Sequence, residues 1–167
     1  MKKSEKRRKN CAEWSPKGGG NGMLIDFMGK FQNNLDQKNR LAVPAKLRGN
    51  LGTEFVVCKP LTKDIHCLYL YSLEGWQALV ERINAKASGE TLTKIQRKLF
   101  MNADRVESDT QGRFTIRTDF CEYANLEKAV SIFGAGQRIE LWNPEAFAQV
   151  EADMDDLDGF DFSLIDY

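Results

Sequence analysis

Asp36-Gln37-Lys38-Asn39-Arg40 and Asp109-Thr110-Gln111-Gly112-Arg113 are one five-residue corner written twice, 73 positions apart. In each, a tight turn joins two strand-like runs, and the Asp carboxylate is placed to accept amide hydrogens inside the turn. The fourth position accounts for the turn. Gly112 reaches positive φ without steric cost, and Asn39 is among the few other residues that tolerate it. The same turn thus occurs with two permitted solutions.

The likeness extends outward from the corners. At the same offset, Leu41, Val43 and Leu47 meet Phe114, Ile116 and Phe120. After a two-residue loop adjustment the offset becomes 71, and Leu68, Leu70, Tyr71, Glu74 and Trp76 meet Ile139, Leu141, Trp142, Glu145 and Phe147. Around the first corner the pattern predicts strands over 31–36, 40–43, 54–59 and 67–71. Pro44 opens a short helix that Gly49 and Gly52 close, and Ser72 caps a longer one with Leu73, Trp76, Leu79, Val80 and Ile83 on one face.

A further helix, about 91–101, carries Leu92, Ile95, Leu99 and Phe100, and then the order begins again. Residues 104–109 and 113–116 read as a hairpin, 118–124 as a short helix, 129–133 and 138–142 as strands, with Gly134-Ala135-Gly136 as the hairpin turn between them. Asn143-Pro144-Glu145 starts the last helix with a capping amide, a first-turn proline and an acid near the positive helix end. Two units are too few for a solenoid. Each half-sheet alone would leave an open edge, so a closed pseudo-dimer is expected, mostly β with short helices, an α+β class.

The organisation expected is a flexible basic leader over 1–27, a first repeat over 28–82, a connecting helix region over 83–102, a second repeat over 103–150 and an acidic tail over 151–167. A net charge of zero hides the asymmetry of the two ends: residues 1–22 hold seven bases and two acids, whereas 151–167 hold seven acids and no base. For the leader two readings stay open, translation starting at Met23 or Met28, or a basic arm that touches phosphate. No apolar run is long enough for a membrane helix or a secretory signal, so the cytoplasm is the default compartment.

Enzyme chemistry has little support. There is one histidine, His66, and no nucleophile, base and orienting group at a familiar spacing. Cys11, Cys58, Cys67 and Cys121 are scattered and read as reduced thiols; a zinc site from Cys58, His66 and Cys67 is disfavoured because adjacent ligands on a strand diverge. Gly18-Gly19-Gly20 lacks the Lys-Ser or Lys-Thr of a phosphate loop, and the acids at 153, 155, 156 and 158 lack the Gly and Glu of a calcium loop. Trp76, Trp142 and Phe147 have core spacing rather than that of a base-stacking platform. No catalytic residue, metal or cofactor is expected.

Alone, Asp and Arg four apart across a turn read as a local salt bridge. Duplicated, Arg40 and Arg113 with the neighbouring donors Lys38 and Gln111 make a spaced basic surface suited to phosphate and guanine edges, while Asp36, Asn39, Asp109 and Gly112 shape the turns. The stretch from Met28 through Pro44, Met-Gly-Lys-Phe-Gln-Asn-Asn-Leu-Asp-Gln-Lys-Asn-Arg-Leu-Ala-Val-Pro, resembles the opening of the MraZ family of bacterial regulators. Asp109-Thr-Gln-Gly-Arg-Phe and Arg138-Ile-Glu-Leu-Trp142 resemble its second half, so the similarity spans about residues 28–150.

That resemblance implies two AbrB-like swapped-hairpin halves forming one barrel with peripheral helices, and a ring of subunits. It implies sequence-specific binding of double-stranded DNA at short direct repeats in the promoter of the division and cell wall gene cluster, hence a cytoplasmic, nucleoid-associated protein. Arg40 and Arg113 are then the motif arginines. Asn39 departs from the usual Gly, and Arg117 stands where the first copy has Pro44, which weakens the second short helix's start signal. A competing reading is a ring-forming protein-interaction module in which the corner arginines form intersubunit salt bridges.

Overall fold

Each corner sends its two flanking strands to different partners. In the computed structural model, which describes residues 27–165, β1 (Phe27–Asn34) and β2 (Arg40–Ala42) lie either side of the first corner, and β5 (Ala103–Glu107) and β6 (Arg113–Thr115) either side of the second. β1 pairs antiparallel with β7 (Ala129–Gly136) of the second repeat, and β5 pairs antiparallel with β3 (Glu54–Cys58) of the first. With β4 (Leu68–Ser72) and β8 (Ile139–Trp142) they form a six-stranded sheet in the order β1-β7-β8-β4-β3-β5. Exchanging the two repeats reverses that order onto itself. The fold is therefore pseudo-twofold symmetric, with the axis between β8 and β4.

Among the described residues β2 and β6 pair only with each other, in a separate two-stranded ladder. The sheets do not close into the expected barrel. β1 is paired along its length with β7 and β5 with β3, while β2 and β6 pair with each other, so among the described residues β1 and β5 are left as edges. The hairpin expected from 104–109 and 113–116 is likewise not formed. At its base a backbone bond runs from Asp109 N to Arg113 O (2.9 Å), but the whole length of β5 is taken by β3, from Glu54↔Glu107 to Cys58↔Ala103.

The first strand begins at Phe27, four residues before the expected start, because β7 offers a partner along all eight residues and Phe27 is buried. Gly134 permits that pairing. A Cβ there would stand 2.4 Å from Met28 N, so any larger residue would push β1 away. Gly134 and Ala135 continue β7, and of the expected turn residues only Gly136, at φ +75°, lies in the tight turn, which is Gly136-Gln137 with Ala135 N donating to Arg138 O (2.8 Å) across it. Residues 1–26 of the expected leader lie outside the described residues.

Among the described residues five helices decorate the strands: α1 (Ala45–Leu51), α2 (Leu73–Lys86), α3 (Gly89–Met101), α4 (Thr118–Tyr123) and α5 (Pro144–Asp153), with a short 3-10 helix over Phe162–Leu164. Their starts follow local chemistry. Ser72 accepts a hydrogen bond from Gly75 N (3.1 Å), and the Asn143 amide oxygen accepts from Glu145 N (2.9 Å) and Ala146 N (3.2 Å), meeting donors that the first helical turn cannot satisfy internally. Pro44 sits just before α1 at φ −53°, ψ 136°, and Arg117 holds the same conformation before α4 at φ −54°, ψ 141°. Thus α4 forms without the proline.

The main core lies between the ladder and the sheet. Leu41 and Phe114, paired across β2 and β6, are buried there with Phe55, whose ring meets Phe114 edge-on at 5.0 Å. Each such side chain contributes about 1.5–3 kcal/mol by leaving water. A smaller cluster of Cys67, Trp142 and Phe147 lies under α5, so those two aromatics are core, whereas Trp76 is only half-buried. Beside them Glu140, only 6% exposed, accepts hydrogen bonds from Arg138 Nε (2.9 Å) and Trp142 Nε1 (2.9 Å). Burial of this charge is met by those partners.

Candidate nucleic-acid interface

The two corners have the same internal wiring. Asp36 Oδ1 accepts from the backbone N–H of Lys38 (2.8 Å) and Arg40 (2.9 Å), and Oδ2 accepts from Arg40 Nε (2.7 Å). Asp109 does the same with Gln111 N, Arg113 N and Arg113 Nε, each at 2.9 Å. Asn39 adopts φ 57° and Gly112 φ 75°, the positive values that the sequence requires. The amide hydrogens of Arg40 and Arg113, foremost, hold the two carboxyls below the usual range, with the guanidinium Nε–H bonds, the amides of Lys38 and Gln111 and the guanidinium charges adding to the shift. At neutral pH both are carboxylates.

Local wiring leaves the arginines half-engaged. The Nε of each is fixed on its own Asp, and the Nη nitrogens of Arg40 and Arg113 make no hydrogen bond among the described residues. Their side chains are 35% and 38% exposed. A guanidinium oriented by Nε while presenting its Nη edge is pre-organised for a two-point acceptor such as a phosphate or the O6/N7 edge of guanine.

The ladder brings the corners together. Register pairs Arg40 with Thr115 and Ala42 with Arg113, around the central pair Leu41 and Phe114. Side chains alternate along a strand, so with Leu41 and Phe114 buried, Arg40 and Arg113 both stand on the opposite, outer face. They occupy diagonal positions, about 7–8 Å apart by the usual cross-strand geometry. Two further backbone bonds extend the pairing symmetrically, Ile116 N to Asn39 O (2.8 Å) and Val43 N to Gly112 O (2.9 Å). The turn-shaping residues thus also join one repeat to the other.

Lys38 and Gln111 lie at the exposed tips of the corners, using only their backbone N–H groups inside the turn. Two other cations stand beside the corners. Arg48 of α1 donates from Nε to Val43 O (2.7 Å) and lies over the second corner, where a Cβ on Gly112 would be 2.3 Å from that Nε. Arg117 is held by Asp119 through Nε and Nη2, both at 2.9 Å, with its guanidinium 4.5 Å from the Phe120 ring centre. Thr118, the next residue, receives Asn39 Nδ2 at 3.4 Å, which places this group beside the first corner.

Sequence comparison of the repeats could not expose Arg48, because its counterpart at the same offset is Cys121. Arg117 was visible only as a departure from Pro44. The zinc candidates do not converge: Cys67 is fully buried and His66 exposed beside Tyr123, although both lie just before β4 and not on the strand expected from residue 67. Burial pushes the Cys58 thiol up to about 12 and raises that of Cys67 further, so neither is a thiolate at neutral pH. Among the described residues no helix is long and apolar enough to cross a membrane.

A family model described as "MraZ protein, putative antitoxin-like" matches the chain twice, over residues 27–98 and 99–161, so that each match holds one corner. A protein of Halothermothrix orenii called transcriptional regulator MraZ is 34% identical over 143 residues, covering 78% of this chain and 98% of that protein. Proteins with the same title from Leuconostoc mesenteroides, at 34% over 143 residues, and Clostridium beijerinckii, at 37% over 133 residues, cover 84% and 79% of this chain and 98% and 92% of their own lengths. With both repeats matched and nearly the full length of these relatives aligned, the chain belongs to the MraZ family.

Proposed function

We propose that this protein is a DNA-binding transcriptional regulator and that Arg40 and Arg113, with Lys38 and Gln111 at the tips of the corners, carry the contact. The observation behind this reading is the pair of guanidiniums on the outer face of the β2/β6 ladder, each fixed through Nε with its Nη edge unused. The titles of the relatives point the same way. A two-stranded ribbon is one of the elements that the major groove of B-DNA admits, and Arg is the commonest side chain on the guanine edge. Asp36, Asn39, Asp109 and Gly112 act by holding the arginines in place.

A monomer with one such ribbon neutralises few phosphates and binds weakly, since affinity grows with the number of counterions released. Assembly into a ring that sets several ribbons against short direct repeats raises the overall affinity through effective concentration. We place those repeats in the promoter of the division and cell wall gene cluster, with the protein cytoplasmic and associated with the nucleoid. The competing use of the corners, as intersubunit salt bridges, has less support because each Arg already has its Asp within its own turn.

Footprinting of the purified protein on the DNA upstream of its own gene tests the reading. Protection of evenly spaced short repeats is expected. Uniform weak coverage would point to non-specific binding and defeat it.

A further inference from the structure

Large apolar side chains are left exposed mainly after α5 and at the end of α3. Of the nine large hydrophobic side chains exposed among the described residues, six follow α5: Met154, Leu157, Phe160, Phe162, Leu164 and Ile165. Two more, Phe100 and Met101, end α3, and the ninth is Met28. Monomeric surfaces rarely concentrate apolar groups in this way unless something covers them. The segment after α5 is also acidic throughout, with no base from Glu151 onward.

Its electrostatic complement lies between α2 and α3. These two helices bury only one side chain fully, Leu99, and leave between them a groove of about 740 Å³ with Ile83 and Ile95 in its walls and Arg82, Lys86, Lys94 and Lys98 along it. Two of the four cations have local partners, Lys94 with Glu90 (2.9 Å) and Lys98 with the Leu61 carbonyl. Arg82 and Lys86 form no ion pair among the described residues. A groove of this size can take several side chains, given that ligand pockets run from about 300 to 1,000 Å³.

The groove and the helix that leads into the segment belong to opposite edges. α5 packs on β7 and is tied to the edge strand β1 by the Lys30–Glu151 pair, whereas α3 packs on the other edge strand, β5. Six strands at roughly 4.8 Å put those edges about 24 Å apart. A surface at one edge whose complement lies at the other makes a head-to-tail contact, which propagates from copy to copy and closes into a ring where the rotation allows.

We propose that the groove between α2 and α3 receives the acidic, aromatic segment 154–165 of a second copy of this chain, and that this contact links the subunits of the assembly. The aromatic and aliphatic side chains enter between Ile83 and Ile95, and the carboxylates meet Arg82 and Lys86. This rests on the assembly put forward above and names its interface; the Arg corners on the β2/β6 ladder take no part in it.

The test uses the full-length wild type, a form cut after Asp153, and the full-length groove variant Arg82→Glu/Lys86→Glu, each checked for native circular dichroism. Sedimentation should give a multi-subunit mass for the wild type and a monomer mass for each altered form. Mixed one to one, the two altered forms each keep one working end, so they should give a mass of two subunits and nothing larger. An unchanged mass after the cut or the charge reversal would overturn the proposal, as would a monomeric wild type, which would mean that the segment folds onto its own groove. Binding of the monomeric forms to a single DNA repeat at raised protein concentration is read separately. Its loss would count against the DNA reading and leave the interface standing.

Discussion

Asp36 and Asp109 each hold three donors on one carboxylate, and their ionisation is therefore coupled to the shape of the corners. Their carboxyls are held below the ordinary value of 3.8, so the folded corner is favoured above that pH and the advantage is lost as pH falls through the lower, folded values. Carboxyl carbon NMR should find both groups titrating below 3.8, with the amides of Arg40 and Arg113 moving at the same midpoints. Titration at 3.8 or above would contradict the wiring. The fourth corner position separates its two solutions in a second experiment. Gly112→Ala puts a Cβ at φ 75° beneath Arg48 and should cost about 1–3 kcal/mol in thermal unfolding, while Asn39→Gly should change stability by less than about 1 kcal/mol. The sequence disclosed both turns because positive φ restricts residue choice locally. It could not disclose Arg48, which reaches the second corner from a helix more than sixty residues away in the chain.

At the level of elements, caps were legible and strand partners were not. Ser72 and Asn143 occupy matching positions of the two repeats and cap α2 and α5 through their own side chains, which needs only neighbouring residues. Asn143→Ala should therefore cost about 1 kcal/mol in denaturant unfolding. Strand pairing is decided by segments far apart. Read locally, residues 104–116 look like a hairpin; in the fold, β5 joins β3 and β6 joins β2. The matching exchange of β1 onto β7 did leave a local signal, Gly134, whose missing side chain leaves room for the β1 backbone. Gly134→Val should release β1 from β7, lowering stability by about 2 kcal/mol or more and speeding hydrogen exchange at the β1 amides. Retained protection of those amides would mean that the close approach at Met28 is not what fixes the edge.

At the level of the whole molecule, the duplication visible in the sequence became a pseudo-twofold sheet with the corners on one outer ladder, and the expected barrel gave way to a sheet with two open edges. Neutral overall charge is compatible with DNA binding in this arrangement, because Lys38, Arg40, Gln111 and Arg113 share the ladder and its corners, while the run of acids without a base lies in α5 and the segment after it. The most direct measurement is the salt dependence of binding to the DNA upstream of the gene, for the wild type and for Arg40→Ala/Arg113→Ala. Both arginines stand outside the core, so the double variant should stay folded with the same mass in solution as the wild type. It should lose affinity by at least tenfold, with a salt slope shallower by about two per subunit engaged. A folded double variant with wild-type affinity and an unchanged slope would contradict the assignment of DNA contact to the corners.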